Sequence, residues 1–399
     1  MPSALASHWT LDPGTTFLNH GSFGACPRVV QQAQAALREQ MESQPVRFFM
    51  REYPVLLDAA RARLGDLIGA RPDDLAFVTN ATLGVNTVLR SLADSGALGP
   101  GDELLATDHT YNACTWAMRE IARLTGATLV VAPVPFPLQS KQQVVTALVE
   151  RVTSRTRLCL IDHVTSPTGL VLPVDDIVYV MQRLGVDVLV DGAHAPGMLP
   201  LDLTKLGAAY YTGNLHKWLC APKGAAFLWA RPDRRDALRA LVTSHGASID
   251  PELAQRSRYQ LEHDWTGTFD PTAWLSVPAA IDALSALLPG GLPALQEHNR
   301  ALAIAGRALL CERLQIEAPC PDDMLGSLAA LPLPPGPPDA AETGPFDPLQ
   351  DRLFFDHHIE VPVFPWPTQP QRVVRIAVQA YTALEDVARL ADALVSELR

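Results

Sequence analysis

Two side chains stand out because each follows residues that bury. Asp191 closes the apolar run Val186-Asp187-Val188-Leu189-Val190, and Lys217 sits in Asn214-Leu215-His216-Lys217-Trp218 after the short run Ala208 to Thr212. An ionised carboxylate at the end of a buried strand is expensive unless something pairs with it. A lysine in a glycine-bearing polar loop, followed by Trp218-Leu219-Cys220, is placed to react rather than to be solvated. The pair meets two demands of pyridoxal phosphate: an amine that condenses with its aldehyde, and an anion that keeps the ring nitrogen protonated so that the ring can accept electrons.

Other residues extend this reading, each beside a plainer one. His194 can hydrogen-bond the phenolic oxygen of such a ring, or be satisfied by backbone. The stretch Thr79-Asn80-Ala81-Thr82 runs from a strand into an amphipathic helix, whose free N–H groups and positive dipole end favour a phosphate; an ordinary cap has the same letters. Asn214 and His216 precede the lysine on the same turn and can hold phosphate oxygens. His109 and Tyr111 follow a strand, and either ring stacks on the pyridine and serves as a second acid or belongs to the core. Arg375 interrupts Val373-Val374-Arg375-Ile376, where a guanidinium suits a substrate carboxylate through two parallel hydrogen bonds, or else a structural salt bridge. Substrate specificity is expected from Asn19, His20, Arg47 and the proline-rich segment; Arg47 either holds a second acidic group or pairs with a neighbouring carboxylate.

The elements that must position these groups read as an α/β pattern. Strands are predicted at Ala76 to Thr79, Glu103 to Thr107, Ala127 to Val131, Leu158 to Asp162, Val186 to Asp191, Ala208 to Thr212 and Ala225 to Ala230, alternating with amphipathic stretches around a mostly parallel sheet. Ligands of such sheets sit beyond the carboxyl ends of the strands, where the polar residues gather. Helices are predicted at Arg28 to Met41, Tyr53 to Ile68, Pro271 to Leu288 and Leu295 to Arg313, with a break at Ser43-Gln44-Pro45. The stretch from Leu331 through Pro348 is proline-rich and reads as a loop. A helix near Leu349 to His357, strands at Ile359 to Phe364 and Arg372 to Val378, and a closing helix from Leu384 suggest a small α+β domain.

Composition bounds the rest. The 399 residues favour more than one domain. The formal charge of −11, with no basic cluster interleaved with aromatics, disfavours nucleic acid. The six cysteines show no metal-ligand spacing, so no metal is expected. No membrane-spanning run or leader is evident, and a cytoplasmic setting is the default expectation.

With those residues in view, the chain resembles the class V aminotransferase group of fold-type I pyridoxal phosphate enzymes, and within it the isopenicillin N epimerase branch. The matching stretches include Asn80-Ala81-Thr82-Leu83-Gly84, Asp162-His163-Val164-Thr165-Ser166-Pro167-Thr168-Gly169, Asp191-Gly192-Ala193-His194, Gly213 to Pro222, Trp265 to Pro271 and Arg375 to Tyr381. The resemblance implies Lys217 as the Schiff-base lysine, Asp191 at the ring nitrogen, His194 at the phenolic oxygen and Arg375 at the substrate carboxylate. It also implies a cofactor shell of Asn80, Ala81, Thr82, Tyr111, Ser166, Asn214 and His216, with Thr268 arriving from a second subunit of a homodimer that shares its active sites. The implied organisation is an N-terminal segment (1–50) packing with the small domain, a large cofactor-binding domain (51–268) with a seven-stranded mostly parallel sheet, and a smaller C-terminal α+β domain (269–399). Related cysteine desulfurases carry a nucleophilic cysteine before the final strands; Leu331 to Gln350 holds none, which disfavours persulfide chemistry. The expected activity is epimerisation at the α-carbon of an amino acid or amino-acid-like peptide, with a carbon–sulfur lyase, an aminotransferase and a non-catalytic scaffold as alternatives in that order.

Overall fold

Every apolar run predicted between residues 75 and 230 becomes a strand. The computed structural model describes residues 3–337 and 346–398. In chain order its strands are β1 (Thr16–Phe17), β2 (Leu75–Val78), β3 (Glu103–Thr107), β4 (Thr128–Ala132), β5 (Thr156–Asp162), β6 (Asp187–Asp191), β7 (Tyr210–Asn214), β8 (Ala226–Ala230), β9 (Leu328–Leu333), β10 (Ile359–Glu360), β11 (Val363–Pro365) and β12 (Arg372–Ala377). Strands β2 to β8 form one seven-stranded sheet in the order β2-β8-β7-β6-β5-β3-β4. Only β8 runs against its neighbours. The sheet's central strands are covered on both faces, which is why they read as unbroken apolar runs rather than as an alternation. The seven-stranded, mostly parallel sheet is the α/β architecture that the resemblance implied.

Register carries the polar residues to one edge. Because β2 and β7 both run against β8, they run the same way as each other, and Val78 and Asn214 both stand opposite Ala226. Asp162, Asp191 and Thr212 likewise stand in register across β5, β6 and β7. The strand ends that introduce Asn80, Asp162, Asp191 and Asn214 therefore share a rim.

Beyond this sheet, β9, β12 and β11 form an antiparallel one, while β1 pairs in parallel with β10. Several expectations shift here. The single strand expected over 359–364 divides into β10 and β11, which serve different sheets, because Pro362 between them has no N–H to continue a ladder. The segment read as a loop from Leu331 begins as strand β9; Pro332 is tolerated opposite Val373 because β9 is an edge. Its residues 338–345 lie outside those described. The helix expected over 271–288 is two, Thr272–Leu275 and Val277–Ser285, parted at Ser276. Pro278 cannot donate there, and the Ser276 hydroxyl bonds back to the Thr272 carbonyl at 2.6 Å. The helices Arg28–Ser43, Tyr53–Ile68, Gly291–Leu314, Pro348–Phe355 and Leu384–Glu397 follow their predicted spans closely. No described helix is long and apolar enough to cross a membrane.

Candidate active site

Two buried carboxyl groups lie side by side at the rim, Asp162 and Asp191, each only 3 % exposed. Asp191 accepts the Ala193 N–H at 2.9 Å and the Cys114 thiol at 3.2 Å. Its turn needs Gly192, since a Cβ there would fall 2.2 Å from the Tyr211 ring. Asp162 Oδ1 accepts the Tyr111 N–H at 3.3 Å, while its Oδ2 is buried without a partner. Burial raises the pKa of both, and the charge of Asp191 adds to the rise at Asp162. Neighbouring buried carboxyls do not both ionise. Asp162 is pushed well above the usual carboxylate range, whereas the Cys114 thiol and the Ala193 N–H oppose the rise at Asp191, so Asp162 is the one disposed to hold the proton.

Lys217 is fixed from its backbone. The loop after β7 folds back on β8, with Leu215 N–H and His216 N–H both donating to Ala225 O. His20 Nε2 donates to the Lys217 carbonyl at 3.0 Å. The N-terminal turn passes so close that a Cβ on Gly24, at φ 72°, would sit 2.1 Å from the His216 carbonyl oxygen. The Lys217 amine has no carboxylate partner among the described residues; Nζ lies 3.2 Å from His194 Nε2. Burial, reinforced by the charge of Arg375, lowers its pKa to about 8.

His194 has a defined tautomer. The Trp218 indole, which can only donate, reaches His194 Nδ1 at 3.1 Å. Burial and then the Lys217 charge hold the ring's pKa well below its usual value, so it is neutral. With Nδ1 accepting, the proton is on Nε2, facing the lysine.

The opposite side of the rim is a helix start. Asn80 caps the helix Ala81–Asp94 by accepting the Leu83 N–H at 2.8 Å, and Asn214 Oδ1 takes the Ala81 N–H at 2.8 Å. The Thr82 N–H and hydroxyl, and the Asn214 NH2, are the donors left over. His216 donates Nδ1–H to Ala225 O at 3.1 Å, and burial lowers its pKa to about 4.

One cavity of about 160 Å³ joins these groups. Lys217, Asp191, His194 and Tyr111 line it together with Asn80, Ala81, Thr82, Asn214, His216 and Ser166. Arg375 reaches its wall: Nη1 donates to Ser166 O at 2.5 Å and Nη2 to Ser22 Oγ at 3.4 Å, while Nε is buried without a partner. Burial draws its pKa only to about 10, so it stays charged. Asp162, expected from its strand end to reach the same crevice but given no role there, also lines the cavity, and it ends an apolar strand just as Asp191 does. Cys114 and Trp218 were missed as well. Nothing local in sequence marks them, because their partners arrive through tertiary packing.

Five expected residues lie elsewhere. His109 is 1 % exposed, with Nε2 3.0 Å from Val134 O, Nδ1 2.8 Å from Thr168 Oγ1 and its ring against Trp366, so it neither stacks in the cavity nor offers a free nitrogen. His20 accepts the Tyr381 hydroxyl at 2.7 Å on its other nitrogen and supports the Lys217 loop rather than facing a substrate. Arg47 is exposed and pairs with Glu52 at 2.7 Å. Thr268 is exposed and outside the cavity of its own chain. Asn19 sits in an adjoining cavity, bonded to Glu360 at 2.8 Å.

A planar ring with a phosphate, an aldehyde and a basic nitrogen fits this set. Among the described residues the buried Asp191 has no cation paired with it, the half-buried Lys217 has no carboxylate, and the helix start keeps Thr82 donors spare. Residues 16–334 match the model of the aminotransferase class-V family. The chain is 37% identical over 395 residues to isopenicillin N epimerase of Amycolatopsis lactamdurans, covering 96% of each. It is 30% identical over 402 residues to a probable chloroplastic L-cysteine desulfhydrase of Arabidopsis thaliana, covering 96% of this chain and 83% of the relative. In structure it is similar to a C-DES mutant with glycine covalently linked to the PLP cofactor, at TM-score 0.78 and 21% identity, with 96% of this chain and 97% of that one covered. The chain belongs to the class-V aminotransferase family.

Proposed function

We propose that this pyridoxal phosphate-dependent enzyme acts at the α-carbon of an amino-acid-like substrate, removing its proton from one face and returning one on the other, as an epimerase. When bound, the cofactor supplies an aldehyde for the substrate amine and a protonated ring that accepts the electron pair left at the α-carbon. Asp191 would hold that ring proton, paired at last with a cation. His194 would present Nε2–H to the phenolic oxygen, while Thr82, Asn214 and His216 would face the phosphate. Arg375 would fix the substrate carboxylate with its unpartnered Nε–H and a Nη group. Lys217 would take the α-proton on Nζ, and a value near 8 leaves it enough neutral amine to do so.

The observation that carries the reading is a half-buried amine and a buried carboxylate lining one cavity, each without an ion-pair partner among the described residues. Tyr111 is the proposed second acid: it lines the cavity and is 42 % exposed, whereas both His109 nitrogens are occupied. Relatives named for cysteine desulfhydrase activity support a second reading, a carbon–sulfur lyase that uses the same first step and then expels a leaving group. We also propose the division at residues 50 and 268, and a homodimer in which the partner's copy of residue 268 completes the phosphate end.

Incubation of each antipode of a substrate in deuterated water tests the reading. Deuterium entering at the α-carbon from both antipodes supports epimerisation, and a Tyr111→Phe variant should lose the reaction from one of them. Pyruvate and a sulfur product released from a cysteine conjugate would favour the lyase instead.

A further inference from the structure

We infer that the substrate carries a bulky apolar group, aromatic by preference and without a negative charge at its far end; this rests on the α-carbon reading above. A second, larger cavity of about 860 Å³ opens beside the active site. Ser22 and Phe23 line both cavities, so the two adjoin. Arg375 stands at the junction. Its Nη2 reaches Ser22, and its guanidinium carbon lies 5.0 Å from the centre of the Phe364 ring, a wall of the larger cavity. A substrate whose carboxylate meets Arg375 and whose amine meets the Lys217 site can send its side chain this way.

The lining determines what that side chain is. Phe17, Phe23, Phe346, Phe354, Phe355 and Phe364 all face the cavity, half of the 12 phenylalanines in the chain. Phe23, Phe346, Phe354 and Phe355 are 40 to 74 % exposed, so burying them against a ligand would release apolar surface from water. The charged residues on the wall are Asp347, Asp351 and Glu360; among the described residues no lysine, arginine or histidine lines it. Asp347 is already paired with Arg372 at 2.6 Å, and Glu360 accepts from Asn19, but neither offers a partner to an anion. A side chain ending in a carboxylate would lose its water for no cation.

The holoenzyme tests this with three amino acids, alanine, 2-aminoadipate and homophenylalanine, read as kcat/KM for α-deuterium exchange. Homophenylalanine should lead both others by about tenfold to a hundredfold, the return for burying one aromatic side chain. Calorimetry gives a reading without chemistry: 4-phenylbutanoate should bind at least about tenfold more tightly than adipate. Phe354→Ala should shrink both ratios by about fivefold or more, and Asp351→Lys should raise the affinity for adipate. Exchange that favours alanine or 2-aminoadipate overturns the inference and leaves the function standing. No exchange with any amino acid removes the α-carbon reading, while the calorimetric comparison still decides the cavity. Should Phe354→Ala instead lower the oligomer's mass by light scattering and leave the ratios unmoved, the phenylalanines belong to a subunit interface and the inference is wrong.

Discussion

The Trp218 indole donates to Nδ1 of His194 across 3.1 Å, and so determines which nitrogen of that histidine holds the proton. Trp218 is 1 % exposed, follows Lys217 directly and packs against His20 with the rings tilted and their centres 4.8 Å apart. A single buried indole thus connects the lysine loop, the N-terminal turn and the histidine proposed to face the cofactor's phenolic oxygen.

Trp218→Phe removes the donor while keeping most of the ring. His194 then becomes free to move its proton to Nδ1, losing the donor at Nε2. We expect kcat to fall by about fivefold to tenfold, the worth of one neutral hydrogen bond, with a larger change in the pH midpoint of the cofactor's absorbance than in Tm. A loss of Tm with an unaltered midpoint would reduce Trp218 to packing.

His216 supplies a second prediction. Its pKa is lowered to about 4 by burial, and its Nδ1–H is committed to Ala225. A phosphate dianion near Nε2 favours the charged ring, which can donate there. The imidazole NMR midpoint should rise by about one unit or more when pyridoxal phosphate is added, and phosphate-end affinity should strengthen as pH falls toward the new value.

Lys217 links rate and stability to pH with a definite sign. With the neutral amine as the proposed base, α-proton exchange should climb by about tenfold per pH unit and level off above about 8. In the apo-protein the folded value of about 8 lies below the ordinary 10.5, so between them the unfolded chain holds the extra proton and stability increases with pH. Below that window the cost of burying the charge is fully present. Lys217→Met should therefore stabilise the apo-protein at pH 7, by up to roughly 3 kcal/mol in urea unfolding.

Much of this was legible in the sequence because burial leaves a local mark. The strands of the large sheet are apolar runs that end in polar residues, and Asp191, Lys217, His194 and Arg375 were read from that punctuation. Direction was not legible. His109 follows a strand end just as Tyr111 does, yet its ring turns inward to Val134 and Thr168. Partner choice was hidden too: Trp218 read only as a burying residue, Cys114 as one scattered thiol, and Ile359 to Phe364 as one strand though its halves pair with different sheets.

Arg375 predicts a loss confined to recognition. Its guanidinium meets Ser166 and Ser22 rather than a carboxylate, with Nε spare, which suits a fork-shaped anion. Arg375→Lys keeps the charge and loses the fork, so KM should rise by about tenfold to a hundredfold with kcat changed less.

The paired acids at the ends of β5 and β6 make the sharpest contrast. If Asp162 is protonated, Asp162→Asn exchanges one neutral group for another, and folding stability at pH 7 should move by no more than about 1 kcal/mol. Asp191→Asn removes the charge that would hold the ring proton, and kcat should fall on the order of a hundredfold to a thousandfold. Nitrogen NMR of ring-labelled cofactor should report a protonated pyridine in wild type and in the Asp162 variant, and an unprotonated one in the Asp191 variant. The reverse pattern would exchange the roles of the two carboxyls, since register places them equally at the rim and only their different partners, the Cys114 thiol and Ala193 N–H against an orphaned Oδ2, tell them apart.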